Sequence, residues 1–132
     1  TEAAARERYD CEVGVARYES LVRPVIDDHP TGFCKLIVER HRRYILGAHV
    51  LGEYSAEVVQ TAAACMPANL RIEQIAELQP AFPTFTEGIT IAAQIIVRQM
   101  GIAPSAPTWG ELHDDEPHGA PEHPAADREQ QG

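Results

Sequence analysis

The alternation of apolar and polar positions predicts short strands in the first half of the chain. Residues 11–16 alternate with a period of two, as expected of a strand with two different faces. Two apolar runs, residues 33–38 and 44–51, are separated by the polar residues 39–43 and predict an antiparallel hairpin. Gly47 inside the second run indicates a bulge or a close backbone approach.

Helical spacing replaces this alternation in the second half of the chain. A helix is predicted from Ser55 to Met66, before Pro67, and a shorter one over residues 71–78. The apolar stripe expected on the first of these comprises Ala56, Val59, Ala62, Ala63, Cys65 and Met66. A further short helix is expected over residues 1–8, with Thr1 as its N-cap.

The most apolar segment is residues 88–100, which follows the sequence Phe82-Pro83-Thr84-Phe85-Thr86-Glu87. The S/T-x-x-E spacing of Thr84 and Glu87 predicts a capping box at the start of a helix. Because this helix is apolar on more than one side, it is either central to a core or divided between a core and an interface. These elements together predict an α+β fold, with an antiparallel sheet packed against helices.

Composition divides the 132 residues into a domain, residues 1–102, and a tail, residues 103–132. The tail carries seven acidic residues and one basic residue, and half of the ten prolines, so it is expected to be disordered. The chain begins at Thr1 without a methionine, and we expect it to be a fragment of a longer protein.

Charge and hydropathy exclude two classes of partner. The net charge of −9 and the lack of clustered lysine and arginine argue against nucleic-acid binding. The only basic cluster, Arg40 to Arg43 including His41, is best explained as a solvated hairpin loop. No apolar run is long enough to cross a bilayer and no secretory segment is present, so a cytoplasmic location is expected.

The cysteines and histidines do not form a recognisable metal site. Cys11, Cys34 and Cys65 share no close spacing, which favours buried free thiols in a reducing compartment. His49 on an apolar strand is interpreted as a core or interface residue. In the tail, a divalent-metal site is the less favoured alternative to simple composition for His113, His118, His123, Asp114, Asp115 and Glu116.

Three segments, taken in order, resemble one known module. They are residues 32–36 with 45–49, then Gly52 with Ala56 and Glu57, then residues 83–87. Together they resemble the C-terminal dimerisation domain of the pyridine nucleotide-disulfide oxidoreductases. These flavoproteins include glutathione reductase, dihydrolipoamide dehydrogenase and mercuric reductase. The resemblance covers roughly residues 1–102.

The resemblance implies a homodimer formed largely through this domain. It also implies that FAD and NAD(P)H are bound by upstream domains of the same protein and not by this domain alone. The chain contains no G-x-G-x-x-G and no closely spaced cysteine pair. Residues 47–52 have the glycine spacing of a P-loop, but Glu53 stands where that motif needs lysine, so a phosphate site is rejected.

The family motif at residues 82–87 is His-Pro-Thr-x-Ser/Thr-Glu, in which the histidine is the acid/base for the partner subunit and the glutamate orients it. Phe82 occupies the position of the histidine. The side chain of phenylalanine cannot donate or accept a proton, which favours a transhydrogenase-like member without thiol chemistry. No residue of this domain is then assigned a catalytic role. Glu87 is then interpreted as a helix cap in preference to an orienting residue. Phe82 and Pro83 either belong to a core or interface or form an apolar edge of the partner's flavin site.

Three functions remain open from the sequence. The first is a homodimerisation module without catalysis of its own, which self-associates through the helix at residues 89–100. The second is a domain that completes the partner subunit's active site in a transhydrogenase- or reductase-like flavoenzyme. The third is a free-standing interaction module whose tail recruits a partner. The sequence leaves open the substrate and the choice between NADH and NADPH.

Overall fold

A computed structural model describes residues 1–103 of the chain. Nine elements follow one another: α1 (Glu2–Arg6), β1 (Cys11–Arg17), a 3₁₀ turn (Tyr18–Ser20), α2 (Val22–Ile26), β2 (Phe33–Glu39), β3 (Ile45–Leu51), α3 (Ser55–Cys65), α4 (Ile72–Ala76) and α5 (Glu87–Met100). This combination of an antiparallel sheet with helices confirms the predicted α+β class. The 3₁₀ turn and α2 were not predicted.

The sheet is antiparallel, with the order β1-β2-β3. The hairpin of β2 and β3 confirms the predicted pair of apolar runs. Its register shifts beside Gly47, because Ile37 pairs with Gly47 whereas Val38 pairs with Ile45. Leu46 is therefore the extra residue of a bulge, as the glycine in this strand indicated.

Helices α3, α4 and α5 form a layer on one face of the sheet. α5 packs on β1 and β2, α3 packs on β3, and α4 packs on α5. Gly14 of β1 allows the close approach of α5, because a Cβ there would overlap the carbonyl oxygen of Ala92. The side chains that fill this layer include Leu36, Val38, Val58, Ile72, Ile75, Ile89 and Ile96, each at most 1% exposed.

On β1 and α3, the apolar pattern of the sequence matches the buried face only in part. On β1, Gly14 and Ala16 face α5, whereas Val15 is 39% exposed on the opposite face. The small residues face inward because a helix lies directly against the strand.

On α3, the buried residues are Val58, Ala62 and Cys65, whereas Met66 is 43% exposed. α3 carries alanines on several of its sides. Their spacing therefore did not distinguish the buried side of the helix from its exposed sides.

α1 is held by local and long-range polar contacts. The Thr1 hydroxyl accepts a hydrogen bond from the backbone N–H of Ala4, which confirms the predicted N-cap. Glu2 accepts a hydrogen bond from the Lys35 ammonium at 2.6 Å. Because Lys35 alternates with the α5-facing residues of β2, this ion pair ties α1 to the opposite face of the sheet.

The hairpin loop is the solvated basic turn that its sequence predicted. Arg40 pairs with Glu12, and Arg43 pairs with the buried carboxylate of Glu73 at 3.0 Å. Glu39 accepts hydrogen bonds from the backbone N–H groups of Arg42 and His41. These N–H groups lower the pKa of the Glu39 carboxyl, because they stabilise its charged form.

No helix within residues 1–103 is long and apolar enough to span a bilayer. In the same part of the chain, all three cysteines are free and buried, as predicted. No group of three potential metal ligands is found among these residues. The histidine-rich segment proposed as an alternative metal site lies outside them, as does the predicted disordered tail.

Candidate functional site

The candidate site is the loop that joins α4 to α5, and Phe85 fixes it to the domain. Phe85 is 6% exposed, and its ring lies 5.3 Å from that of Tyr18 in an edge-on arrangement. The ring of Tyr54 lies 4.9 Å away on another side. Aromatic pairs at these distances add to the stabilisation from burial. The loop therefore enters α5 in a defined position.

Phe82 lies at the outer side of this loop, after which the Phe82-Pro83 peptide bond is cis. Its side chain is 70% exposed, the highest value of any large apolar residue in the described part of the chain. It lines a cavity of about 200 Å³ with Glu87, Leu78, Pro80 and residues of α5. Phe82 is therefore not a core residue within this monomer, which leaves the interface and flavin-edge interpretations.

Glu87 forms only half of the predicted capping box. Its carboxylate accepts a hydrogen bond from the backbone N–H of Thr84 at 3.4 Å. The Thr84 hydroxyl is buried and has no hydrogen-bond partner, and the residue at the N-cap position is Thr86. α5 therefore begins two residues later than a full capping box needs, because Phe85 and Thr86 form a turn whose backbone carbonyls accept the first hydrogen bonds of the helix.

A second cavity of about 220 Å³ lies on the other side of the loop. It is lined by Arg23, Tyr54, Glu57, Val58 and residues 83–86. Sequence reasoning missed Tyr54 and Arg23. Tyr54 has a left-handed backbone, with φ 53°, directly after β3, and such a conformation has no sequence signal at tyrosine. Arg23 belongs to the unpredicted α2, where it pairs with Asp27 at 2.7 Å.

Two buried groups next to the loop, the Cys34 thiol and the Tyr18 hydroxyl, have raised pKa values. Burial raises the pKa of the Cys34 thiol to about 12, and this thiol contacts the first turn of α5 at Gly88. Burial also raises the pKa of Tyr18 to about 12, and its hydroxyl donates a hydrogen bond to the carbonyl oxygen of Glu53. No histidine lines either cavity within residues 1–103. The described loop thus offers an exposed aromatic ring and one carboxylate, without a proton-transfer partner beside them.

The remaining residues singled out from the sequence lie away from this loop. His49 is exposed on β3, so its interpretation as a core residue was wrong, and an interface role stays a prediction. Residues 47–51 form part of β3 and are followed by Gly52 with φ 129°. A strand does not present consecutive N–H groups to one point, so these glycines form no phosphate-binding loop.

Comparison with known proteins identifies the module. Residues 1–93 match the family model described as "Pyridine nucleotide-disulphide oxidoreductase, dimerisation domain". A soluble pyridine nucleotide transhydrogenase of Mycobacterium tuberculosis (strain ATCC 25177 / H37Ra) is 34% identical over 89 residues, which are 67% of this chain and 19% of the relative. A mercuric reductase of Lysinibacillus sphaericus is 28% identical over 94 residues, which are 70% of this chain and 17% of the relative.

Solved structures agree on the fold. The HOCl-induced flavoprotein disulfide reductase RclA from Escherichia coli superposes with a TM-score of 0.69 at 24% identity, over 73% of this chain and 22% of that one. The chain spans less than a fifth of the length of the curated relatives named above. The match to the family model covers more than half of the chain. The chain therefore belongs to the pyridine nucleotide-disulphide oxidoreductase family, as a dimerisation domain.

Proposed function

We propose that residues 1–102 are the homodimerisation module of an FAD- and NAD(P)H-dependent oxidoreductase and have no catalysis of their own. The observation that carries this proposal is the match of residues 1–93 to the dimerisation domain of the family. The neutral thiol of Cys34 and the phenylalanine at position 82 are consistent with a domain that moves no protons itself. Its free buried thiols fit a cytoplasmic location.

The residues of this domain do not fit FAD or NAD(P)H on their own. The only P-loop-like glycine spacing among the described residues falls on β3, where the backbone N–H groups are in extended conformation. We therefore assign both cofactors to upstream domains of the same protein.

The experiment is sedimentation of the full 132-residue chain over a concentration range from about 1 to 200 μM, which covers typical dimer affinities. A concentration-dependent dimer is expected. Circular dichroism on the same samples checks that the chain is folded. A folded monomer at the highest concentration would refute the proposal.

A second function is favoured by the exposure of Phe82. In this alternative the loop of residues 82–87 forms an apolar edge of the partner subunit's active site, in a transhydrogenase- or reductase-like flavoenzyme that lacks the usual histidine. The supporting observation is that Phe82 is 70% exposed in the monomer, although aromatic rings are normally buried or at interfaces. The similarity to a soluble transhydrogenase points in the same direction.

Turnover of the full-length parent enzyme tests this alternative. Phe82→Ala and Glu87→Gln are compared with Met66→Ala, which removes another exposed apolar side chain, at the end of α3. The active-site interpretation predicts that Phe82→Ala changes kcat or KM by at least about tenfold, equivalent to about 1.4 kcal/mol. If the Phe82 and Glu87 variants both behave like Met66→Ala, the loop is structural. The homodimer proposal is unaffected by that outcome.

A further inference from the structure

The last described residues of the chain are held in a fixed position after α5. Gly101 closes the helix with a left-handed backbone, φ 65°. The backbone N–H of Ile102 donates a hydrogen bond to the Val97 carbonyl oxygen at 3.0 Å, and Ile102 packs against the core. Residues 104–132 therefore start from a defined point on the surface of the domain.

Two neighbouring cavities lead from this point across the loop between β2 and β3. The first has a volume of about 350 Å³ and is lined by Asp10, Arg40, His41, Gln99 and Met100. The second has a volume of about 400 Å³ and is lined by Tyr9, Glu39, His41, Arg42, Tyr44 and Leu46. His41 borders both cavities, so they form one continuous surface from the end of α5. We call this surface the hairpin-loop groove.

The second cavity of the groove combines aromatic side chains with an unpaired cation. Tyr9 is 49% exposed, and Tyr44 and Leu46 are half-buried. Arg42 is exposed and forms no ion pair with another residue of 1–103. The acid that lines this cavity, Glu39, already accepts hydrogen bonds from two backbone N–H groups of the loop. The groove therefore favours a ligand that carries an aromatic side chain next to negative charge.

Residues 109–116 of the same chain have this combination. Trp109 is the single tryptophan of the protein, and the acids that follow it are Glu111, Asp114, Asp115 and Glu116. Tryptophan contributes more often than most side chains to the binding free energy of an interface. Its ring packs against other aromatic rings and against a guanidinium group. An indole in the second cavity would therefore contact both kinds of group that line it.

The connection between the domain and Trp109 is long enough for this contact. Trp109 is six residues beyond Ala103, and six extended residues span about 20 Å. A tethered segment has an effective concentration on the order of 1 mM. A contact whose intrinsic dissociation constant is about 1 mM is then half formed, so a small surface is sufficient.

We propose that residues 109–116 dock onto the hairpin-loop groove of the same chain. The indole of Trp109 occupies the second cavity against Tyr9 and Tyr44, and the acids after it lie next to Arg42. Because these charges are at the surface, the contact is weakened by salt. This inference goes beyond the proposed homodimerisation and does not depend on it.

Tryptophan fluorescence of the full 132-residue chain tests the docking, because Trp109 is the only source of this signal. The measurement is quenching by acrylamide, a neutral quencher. Arg42→Glu replaces attraction by repulsion and is expected to lower the docking equilibrium constant at least about tenfold, which makes Trp109 more accessible. Sodium chloride at about 1 M is expected to act in the same direction, since the Debye length falls to about 3 Å.

Arg17→Glu is the matched control for this charge change. Arg17 is also exposed and without an ion pair within residues 1–103, but it lies at the opposite end of β1 from the hairpin loop. Its variant is expected to behave like the native chain. Circular dichroism checks that both variants are folded.

Disulfide trapping in the full chain locates the contact. Gly110→Cys is combined either with His41→Cys, at the wall that both cavities share, or with Arg17→Cys. A disulfide needs Cα atoms within about 7 Å of each other. The first pair is expected to crosslink under mild oxidation, and mass spectrometry should find the bond within one chain. The second pair is expected to stay reduced. Gly110→Cys alone controls for reaction with the three native cysteines, which are buried.

Each outcome supports or overturns the inference. A protected Trp109 that Arg42→Glu exposes, together with an intrachain disulfide between positions 41 and 110, supports it. A disulfide between two chains would place residues 109–116 on a second copy and would overturn docking within one chain. The inference also fails if Trp109 of the native chain is as accessible as in urea, or if Arg42→Glu and salt leave its protection unchanged. Equal crosslinking of the two cysteine pairs has the same consequence. None of these results alters the sedimentation test of the homodimer.

Discussion

A Cβ atom at Gly14 would lie only 2.2 Å from the Ala92 carbonyl oxygen, so α5 crosses β1 in direct contact with its backbone. The neighbouring Ile96 side chain closes the remaining space around this crossing. β1 and α5 thus pack so closely at Gly14 that no side chain fits between them. The position of α5, and of the loop before it, depends on this contact.

Gly14→Ala is therefore expected to destabilise the domain by about 3 kcal/mol, because the obstructing atoms belong to backbone that cannot rotate away. Denaturant unfolding followed by circular dichroism measures the change. Gly47→Ala is the control, since a Cβ there meets only Ile37 at 3.8 Å, and a change below about 0.5 kcal/mol is expected. Equal effects of the two substitutions would contradict the close crossing.

The two phenylalanines of the loop are expected to differ strongly in their effect on stability. Phe85→Ala removes a buried ring that contacts Tyr18 and Tyr54, and we expect a loss of about 3 kcal/mol in the free energy of unfolding. Phe82→Ala removes a ring that is 70% exposed, and a loss below about 0.5 kcal/mol is expected. Thermal and urea denaturation of both variants measure these losses in the free energy of unfolding. A similar loss for both would mean that Phe82 packs within the monomer.

Stability is expected to fall as the pH rises above about 9. Burial raises the pKa of Cys34 from 9.0 to about 12 and that of Tyr18 from 10.0 to about 12. The folded state therefore holds more protons than the unfolded state between these values, and the free energy of unfolding decreases with pH in that range. Urea unfolding at a series of alkaline pH values measures the slope.

Cys34→Ala provides the control for this slope. The variant has one buried ionisable group fewer, so its stability should fall less steeply with pH, although its stability at neutral pH is lower because of the lost side chain. An unchanged slope would show that ionisation of this thiol is not linked to unfolding.

The acid side of the stability profile is expected to depend on Glu39. Backbone N–H groups of Arg42 and His41 lower the pKa of this carboxyl below 4.5, so its contribution is present above that pH and is lost as the pH falls through the folded-state pKa. Glu39→Gln is expected to cost about 1–2 kcal/mol at pH 7 and to flatten the profile below about pH 4.5. Glu19→Gln, at an exposed position, is the control. Acid unfolding identical to that of the native chain would argue against this role.

The strands, the hairpin and the longer helices were accessible from the sequence because they depend on local periodicity. The apolar runs on either side of residues 39–43 specified β2 and β3, and Gly47 marked the bulge. The motif at residues 83–87 located the loop before α5. The missed elements, α2 and the 3₁₀ turn, are short and lack periodicity. The cavity-lining residue Arg23 was missed with α2, whereas Tyr54 was missed because its left-handed backbone after β3 has no sequence signal.

The sequence did not specify which apolar residues face the core. That choice depended on packing between elements that are distant in sequence. Val15 was as apolar as any core residue, yet it faces outward, because α5 lies against the small residues on the other side of β1. The same packing buries one side of α5, whereas Ile91, Ile95, Val97 and Met100 stay half-buried. The sequence had left open whether this helix is central to a core or divided between a core and an interface. The composition of a helix does not specify which neighbour covers it.

By itself, the sequence determined the α+β class, the family resemblance and the loss of the motif histidine at Phe82, since each depends on residue identity and order. Only the tertiary structure decided that Phe82 is exposed, that the capping box is half formed and which side of α5 packs on the sheet. Those features arise from contacts such as Phe85 with Tyr18 and Gly14 with Ala92, between segments about 65 to 80 residues apart. Local patterns carry no information on such contacts, because they form only when the layers pack together.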